Sequence, residues 1–169
     1  MAGFPNVLTA RDDHSVNLFQ PSITFDKTGD PLSKIGEPTD YTITLNNTTS
    51  ADTPDLTCTV TDAAVGVNKS VTLASGASDT TGATAAIPAG ASDPYVNTAS
   101  VSCSVAGFPN VLTASDDHSV NLFQPSITFD KTGDPLSKIG DPTDYVITLN
   151  NTSSADTPDL TCTVTDPAI

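Results

Sequence analysis

The 169-residue chain has no tryptophan, a single methionine and few aromatic residues, 5% in all. In a domain of about 100 residues with so few aromatics, a covalent bridge would supply a large share of the stability. Basic residues are equally scarce: six Lys and Arg stand against twenty Asp and Glu, a formal charge of −14. Nucleic acid is excluded as a partner, because phosphate binding needs a basic surface. Anionic lipid is disfavoured for the same reason, whereas cations, or plain solubility through self-repulsion, fit an acidic surface. No apolar run of about 18 residues occurs, so no helical membrane insertion is expected in this window. There is also no signal-like segment before Ala2 and no amphipathic helical pattern of useful length.

What the chain does contain is itself, twice. Ala2–Val65 returns as Ala106–Ile169 at an offset of 104 residues. Only six of the 64 aligned positions differ: Arg11/Ser115, Glu37/Asp141, Thr42/Val146, Thr49/Ser153, Ala63/Pro167 and Val65/Ile169. The period exceeds the roughly 20–50 residues of solenoids and propellers and matches a small independent domain. The sequence is expected to be a window on a tandem array, with Met1 at the place of a Val105 equivalent and Ile169 in mid-repeat.

Each full repeat carries two cysteines, Cys58 and Cys103, and Cys162 is the second copy of Cys58. This fits one intradomain disulfide, Cys58–Cys103, in an oxidising compartment, with two buried free thiols as the plainer reading. Cys162 would pair outside the window. A bridge closing a loop of about 46 residues contributes roughly 4 kcal/mol in the chain-entropy model.

Period-two alternation with Thr and Ser at outward positions runs through the repeat. It predicts strands at Pro21–Lys27, Tyr41–Asn46, Leu56–Thr61, around Val71 and Leu73, around Thr84–Ile87, at Ala99–Val105 and at Ser119–Gln124. Both cysteines fall on inward faces, where two facing sheets could bring them together. Turn signals at 28–31, 74–76, 88–90 and 107–110 separate the strands. The expected fold is all-β: tandem immunoglobulin-like β-sandwich domains of about seven strands per 104-residue repeat. Strand order then divides the chain into the last strand of a preceding repeat (1–20), a complete domain (21–124) and the first three strands of the next (125–169). The passage Leu122-Phe-Gln-Pro-Ser-Ile127 runs from strand to strand through one proline, a stiff joint. The incomplete portion would bare Ile127, Phe129, Tyr145, Ile147 and Leu160, so a neighbouring chain is expected to complete it.

The segments Lys27-Thr-Gly-Asp30, Ile35-Gly-Glu-Pro38, Tyr41–Asn47, Val60-Thr-Asp62 and Asn97-Thr-Ala99 give the repeat a recognisable order and spacing. In these the chain resembles the conserved repeat domain of prokaryotic surface proteins, the family called domain of unknown function eleven. The resemblance implies an Ig-like fold in surface stalks, adhesins or sheaths of bacteria and archaea, and no catalytic activity. It does not imply the disulfide.

Four kinds of site are candidates. Acidic loops at the joint between repeats offer Asp40, Asp62, Asp93, Asp156 and Asp159 to Ca2+, which takes six to eight oxygen ligands; the adjacent pairs Asp12-Asp13 and Asp116-Asp117 are a weaker alternative, and plain solvation is the simpler one. Lys27, at the end of the first strand on the face of Ile23 and Phe25, occupies the position at which pilin-type Ig domains form Lys–Asn isopeptide crosslinks. Asn97 or Asn121, with Asp62 or Asp40, would complete such a set. N-x-Ser/Thr acceptors for glycans occur at Asn46, Asn47, Asn68, Asn150 and Asn151. His14 and His118, one per repeat, are expected at the surface. No nucleophile with a nearby His and acid recurs, so no enzyme is expected. The functional expectation is a non-enzymatic structural repeat of an extracellular or cell-surface fibre, stalk or sheath, partnered by neighbouring copies of itself. The rival is an adhesin module gripping glycans or a partner surface through its loops, for which Phe4, Phe108 and Tyr95 are the aromatic candidates.

Overall fold

A computed structural model describes residue 3 and residues 8–167; Met1, Ala2, Phe4 and Ile169 lie outside the described residues. The fold is all-β. Ten strands are present among the described residues: β1 (Ile23–Gly29), β2 (Leu32–Ser33), β3 (Pro38–Asn47), β4 (Leu56–Asp62), β5 (Val67–Leu73), β6 (Ser78–Ala86), β7 (Tyr95–Val105), β8 (Val111–Leu122), β9 (Ile127–Gly133) and β10 (Tyr145–Asn151). The first eight build a two-layer sandwich. One sheet runs β1-β3-β6, the other β2-β8-β7-β4-β5. All their pairings are antiparallel except the short β2–β8 contact. With β1, β3 and β6 facing β4, β7 and β8, this is the strand arrangement of an immunoglobulin-like domain.

Alternation sets the core. Ile43 and Leu45 of β3 meet Leu56, Cys58 and Val60 of β4 and Ala99, Val101, Cys103 and Val105 of β7, all buried, while Tyr41 packs with Ile87, Val120 and Leu122. Thr and Ser at the intervening positions face water, as β-branched and small polar residues do on a half-buried sheet. Gly29 marks the tightest crossing: a Cβ there would stand 2.6 Å from the Asp40 carbonyl oxygen and 2.9 Å from the Tyr41 ring. Only glycine lets the two strands approach so closely.

Two sequence expectations change. The last strand of the domain begins at Val111 rather than Ser119, because its inward positions include Asp116 and His118, which hide the apolar alternation. The disulfide does not link the two sheets: Cys58 and Cys103 are directly opposite on adjacent strands β4 and β7, with Cα atoms 4.0 Å apart.

Outside the sandwich, residues 8–22 form no ladder. In the second copy β9 and β10 make a two-stranded hairpin, while the third expected strand, around Leu160, has no ladder partner. In the complete repeat the same segment, β4, is held by β5 and β7. Ile127, Phe129, Tyr145 and Ile147 are exposed and Leu160 half-buried, so the hairpin persists in this single chain with its apolar face open.

Candidate functional site

Three inward positions at one end of the sandwich are polar. Lys27 continues the inward series Ile23, Phe25 along β1; Asp62 ends the series Leu56, Cys58, Val60 along β4; Asn97 begins the series ending at Val105 along β7. Strand alternation therefore drives all three into the same dry space between the sheets. The Lys27 and Asp62 side chains are 0% exposed, and Asn97 is buried. Lys27 Nζ donates to Asp62 Oδ2 in a short ion-paired hydrogen bond. Asn97 Nδ2 donates to the same oxygen at 3.2 Å. The other carboxylate oxygen, Oδ1, accepts from the Ala64 backbone N–H at 3.2 Å.

The surroundings fix this node. Lys27 Nζ sits 4.5 Å over the Tyr41 ring, a favourable place for a cation with little water. The Lys27 backbone N–H donates to Asp116 Oδ2 on β8 at 2.7 Å, joining the free edge of β1 to the other sheet. His118, expected at the surface, is half-buried: its Nε2 is 3.0 Å from the Asp30 carbonyl oxygen and its ring meets Tyr41 edge-on. The Tyr41 hydroxyl is buried with no hydrogen-bond partner. Burial first, then the acidic groups of Tyr95 and Asp62, hold its pKa above the ordinary 10.0, with Asn97 acting in the opposite direction. The neutral phenol thus contributes stability below the unfolded pKa that is lost as pH rises from there through the folded value.

A fully buried Lys–Asp pair is an unusual structural choice. Desolvating both ions costs several kcal/mol each, of order what their attraction returns. A hydrophobic pair of the same volume would serve folding as well. The carboxamide on the same carboxylate oxygen has no packing reason of its own, and the three together set an amine, an acid–base group and an acyl carbon side by side. Of the side chains considered beside Lys27 from sequence, Asn97 and Asp62 are the ones brought to it. Asn121 faces outward from β8 and donates to Asp156, and Asp40 accepts from Thr84 Oγ1 on the outer face.

The five carboxylates expected to gather around calcium are dispersed. Asp62 is in the buried node, Asp40 is bound to Thr84, Asp93 Oδ1 accepts from the Leu122 N–H at 2.9 Å, Asp156 Oδ2 accepts from Asn121 at 2.6 Å, and Asp159 is exposed. Among the described residues no three His, Cys, Asp or Glu side chains are placed to hold one ion. The structure does not gather these acids into a calcium joint: four of them accept from separate donors and Asp159 is exposed. The glycan acceptors also separate. Asn47 is buried and donates to the Leu73 carbonyl at 2.9 Å, so it is inaccessible in the folded domain, and Asn46 Nδ2 donates to Thr24 at 2.9 Å on a half-buried face. Asn68, Asn150 and Asn151 are exposed. Cys162 is free and exposed.

The contacts around the connecting segment recur in both copies of the sequence. Asn17 Nδ2 donates to Asp52 Oδ2 at 2.8 Å, and its copy Asn121 donates to Asp156 Oδ2 at 2.6 Å. The Gln20 N–H donates to Ser50 Oγ at 3.4 Å, and the Gln124 N–H to Ser154 Oγ at 2.8 Å. Phe19 packs edge-on against Phe108 with ring centroids 4.8 Å apart.

No protein-family model matches the chain, so the resemblance to the conserved repeat domain rests on the motifs quoted above. No curated protein matches it either. Among solved structures it is similar to the CARDB domain of a Pyrococcus furiosus protein, a domain solved in complex with di-metal ions, at 16% identity and a TM-score of 0.41. The match covers 60% of this chain and 94% of that one.

Proposed function

We propose that the repeat is a rigid structural module of an extracellular fibre, stalk or sheath, joined head to tail to copies of itself. The recurrence of the joint carries this reading. The same asparagine–aspartate and glutamine–serine contacts form on both sides of the complete domain, and the connection between them holds a proline and no glycine. A tether meant to flex would be glycine- and serine-rich and would make no repeated contact with the next domain. The disulfide fits an oxidising compartment outside the cytosol. Of the aromatics that an adhesin would present, Tyr95 packs against the cluster of Tyr41, Ile87, Val120 and Leu122, and Phe108, though half exposed, is held edge-on by Phe19. The test is small-angle scattering on arrays of increasing repeat number. A rod gives a radius of gyration rising linearly with repeat number, by roughly 12 Å for each domain's roughly 40 Å of added length, from strands at ~3.3 Å per residue plus loops. Growth as the square root of repeat number would overturn the reading.

A further inference from the structure

We propose that Lys27 and Asn97 become joined by an intramolecular isopeptide bond, with Asp62 as the catalytic acid–base group. The proposal rests on the buried node alone and stands whether or not the array is a rod. Both reacting side chains hydrogen-bond to one oxygen, Asp62 Oδ2, so the amine and the carboxamide face each other across a group able to move protons between them. Holding the reactants together in this way removes most of the entropic barrier of an otherwise very slow amide exchange.

The reaction balances without a co-reactant. The Lys27 ammonium gives a proton to Asp62, exchanging two buried charges for none. The neutral Nζ attacks Asn97 Cγ, forming the C–N bond. Asp62 delivers its proton to Nδ2 and takes the second proton from Nζ, the Cγ–Nδ2 bond breaks, and ammonia leaves. The products are the Lys27–Asn97 amide, protonated Asp62 and ammonia. Nothing is oxidised or reduced.

The bond would tie β1 of one sheet to β7 of the other, adding to the Cys58–Cys103 bridge that ties β7 to β4. Tension enters a domain through the start of β1 and leaves through the end of β8. The crosslink would therefore shield the roughly 70 intervening residues, some 230–250 Å of extended chain at ~3.3–3.6 Å per residue, from being pulled out.

Mass spectrometry of the intact, fully reduced chain tests the proposal. The expected mass is that of the sequence less one ammonia, and not two, because Lys131 and Asp166 have no counterpart of Asn97 in this sequence. Trypsin should fail at Lys27 and release a branched peptide joining residues 12–34 to residues 70–131. Asn97→Ala and Asp62→Ala should retain the full mass, and Asn97→Ala keeps the Lys27–Asp62 pair should Asp62→Ala not fold. An unmodified mass for the folded wild-type chain would overturn the proposal. So would ammonia loss without the branched peptide, which would mark asparagine cyclisation instead.

Discussion

The same residues occur twice in this chain in two different surroundings. In the complete copy, Lys27 and Asp62 are shut off from water; in the partial copy, Lys131 and Asp166 pair again, with Lys131 again over a tyrosine ring, Tyr145, at 4.3 Å, yet their side chains are 33% and 16% exposed. The hairpin is reproduced closely. β9 pairs with β10 in the register of β1 with β3, Asn150 donates to Thr128 as Asn46 does to Thr24, and Gly133 crosses the Asp144 carbonyl as Gly29 crosses that of Asp40. What disappears is everything contributed by later strands. β10 begins at Tyr145, whereas β3 begins three residues earlier in the repeat, where Pro38, Thr39 and Asp40 pair with β6. The counterparts of β2 and β4 form no strand. Pairing geometry is thus local to the hairpin, and burial is supplied from a distance.

Breaking the ion pair in each copy should separate these contributions most sharply. In the Asn97→Ala background, where Lys27 cannot be acylated and the ion pair remains, Asp62→Ala leaves the Lys27 side chain buried without its partner, and the domain should lose about 3–5 kcal/mol in urea denaturation. Asp166→Ala removes the same contact where water reaches it, and the cost to the unfolding of the complete domain should stay below about 1 kcal/mol. Equal losses would show that the hairpin pair is part of the same cooperative unit. Next in size is a core truncation. Ile43→Ala, at a position 1% exposed, should cost about 2–5 kcal/mol, and Ile147→Ala, at the equivalent position 36% exposed, under about 1 kcal/mol.

The same division explains what was legible in the sequence. Strand alternation identified β1, β3, β4 and β7 and the inward direction of Lys27, because each strand's pattern is written in its own residues. It also placed both cysteines inward, but not that β4 and β7 are neighbours in one sheet, since pairing order is a property of the whole chain. The first half of β8 was hidden because inward Asp116 and His118 read as surface residues, although both are used in holding β1 and Tyr41. The calcium site failed on the same account: loop carboxylates look available in sequence, and their local donors, such as the Leu122 N–H for Asp93, appear only once the strands are assembled. That Asn97 and Asp62, among the side chains considered beside Lys27, are the ones that meet it needed the register that brings three strand ends together.

The cysteines offer a smaller effect read in one tube. Reducing Cys58–Cys103, whose partners lie 45 residues apart, should cost roughly 2–4 kcal/mol. Before reduction an alkylating reagent should modify Cys162 alone, once per folded chain. More than one adduct on the unreduced folded protein would contradict the bridge.

The smallest expected effect lies at the joints, where the two copies should behave alike. Asp52 is held below the ordinary carboxylate range by hydrogen bonds from Ser50 and then Asn17, and Asp156 by that from Ser154 and, more weakly, Asn121. A carboxylate whose folded pKa is depressed contributes above its unfolded pKa and loses that contribution as pH falls through the folded value. Both joints should therefore loosen together as pH falls below the ordinary aspartate value of 3.8, while the buried core stays intact. Side-chain carboxyl NMR shifts of Asp52 and Asp156 would follow this, with Asn17→Ala and Asn121→Ala each raising the midpoint of its own partner only. Because both acids are fully exposed, the change in melting temperature should be slight, and the change in interdomain order, read by scattering, the clearer signal. A joint that kept its order after both aspartates had been protonated would owe its stiffness to Pro21 and Pro125 and the Phe19–Phe108 contact rather than to the paired asparagines.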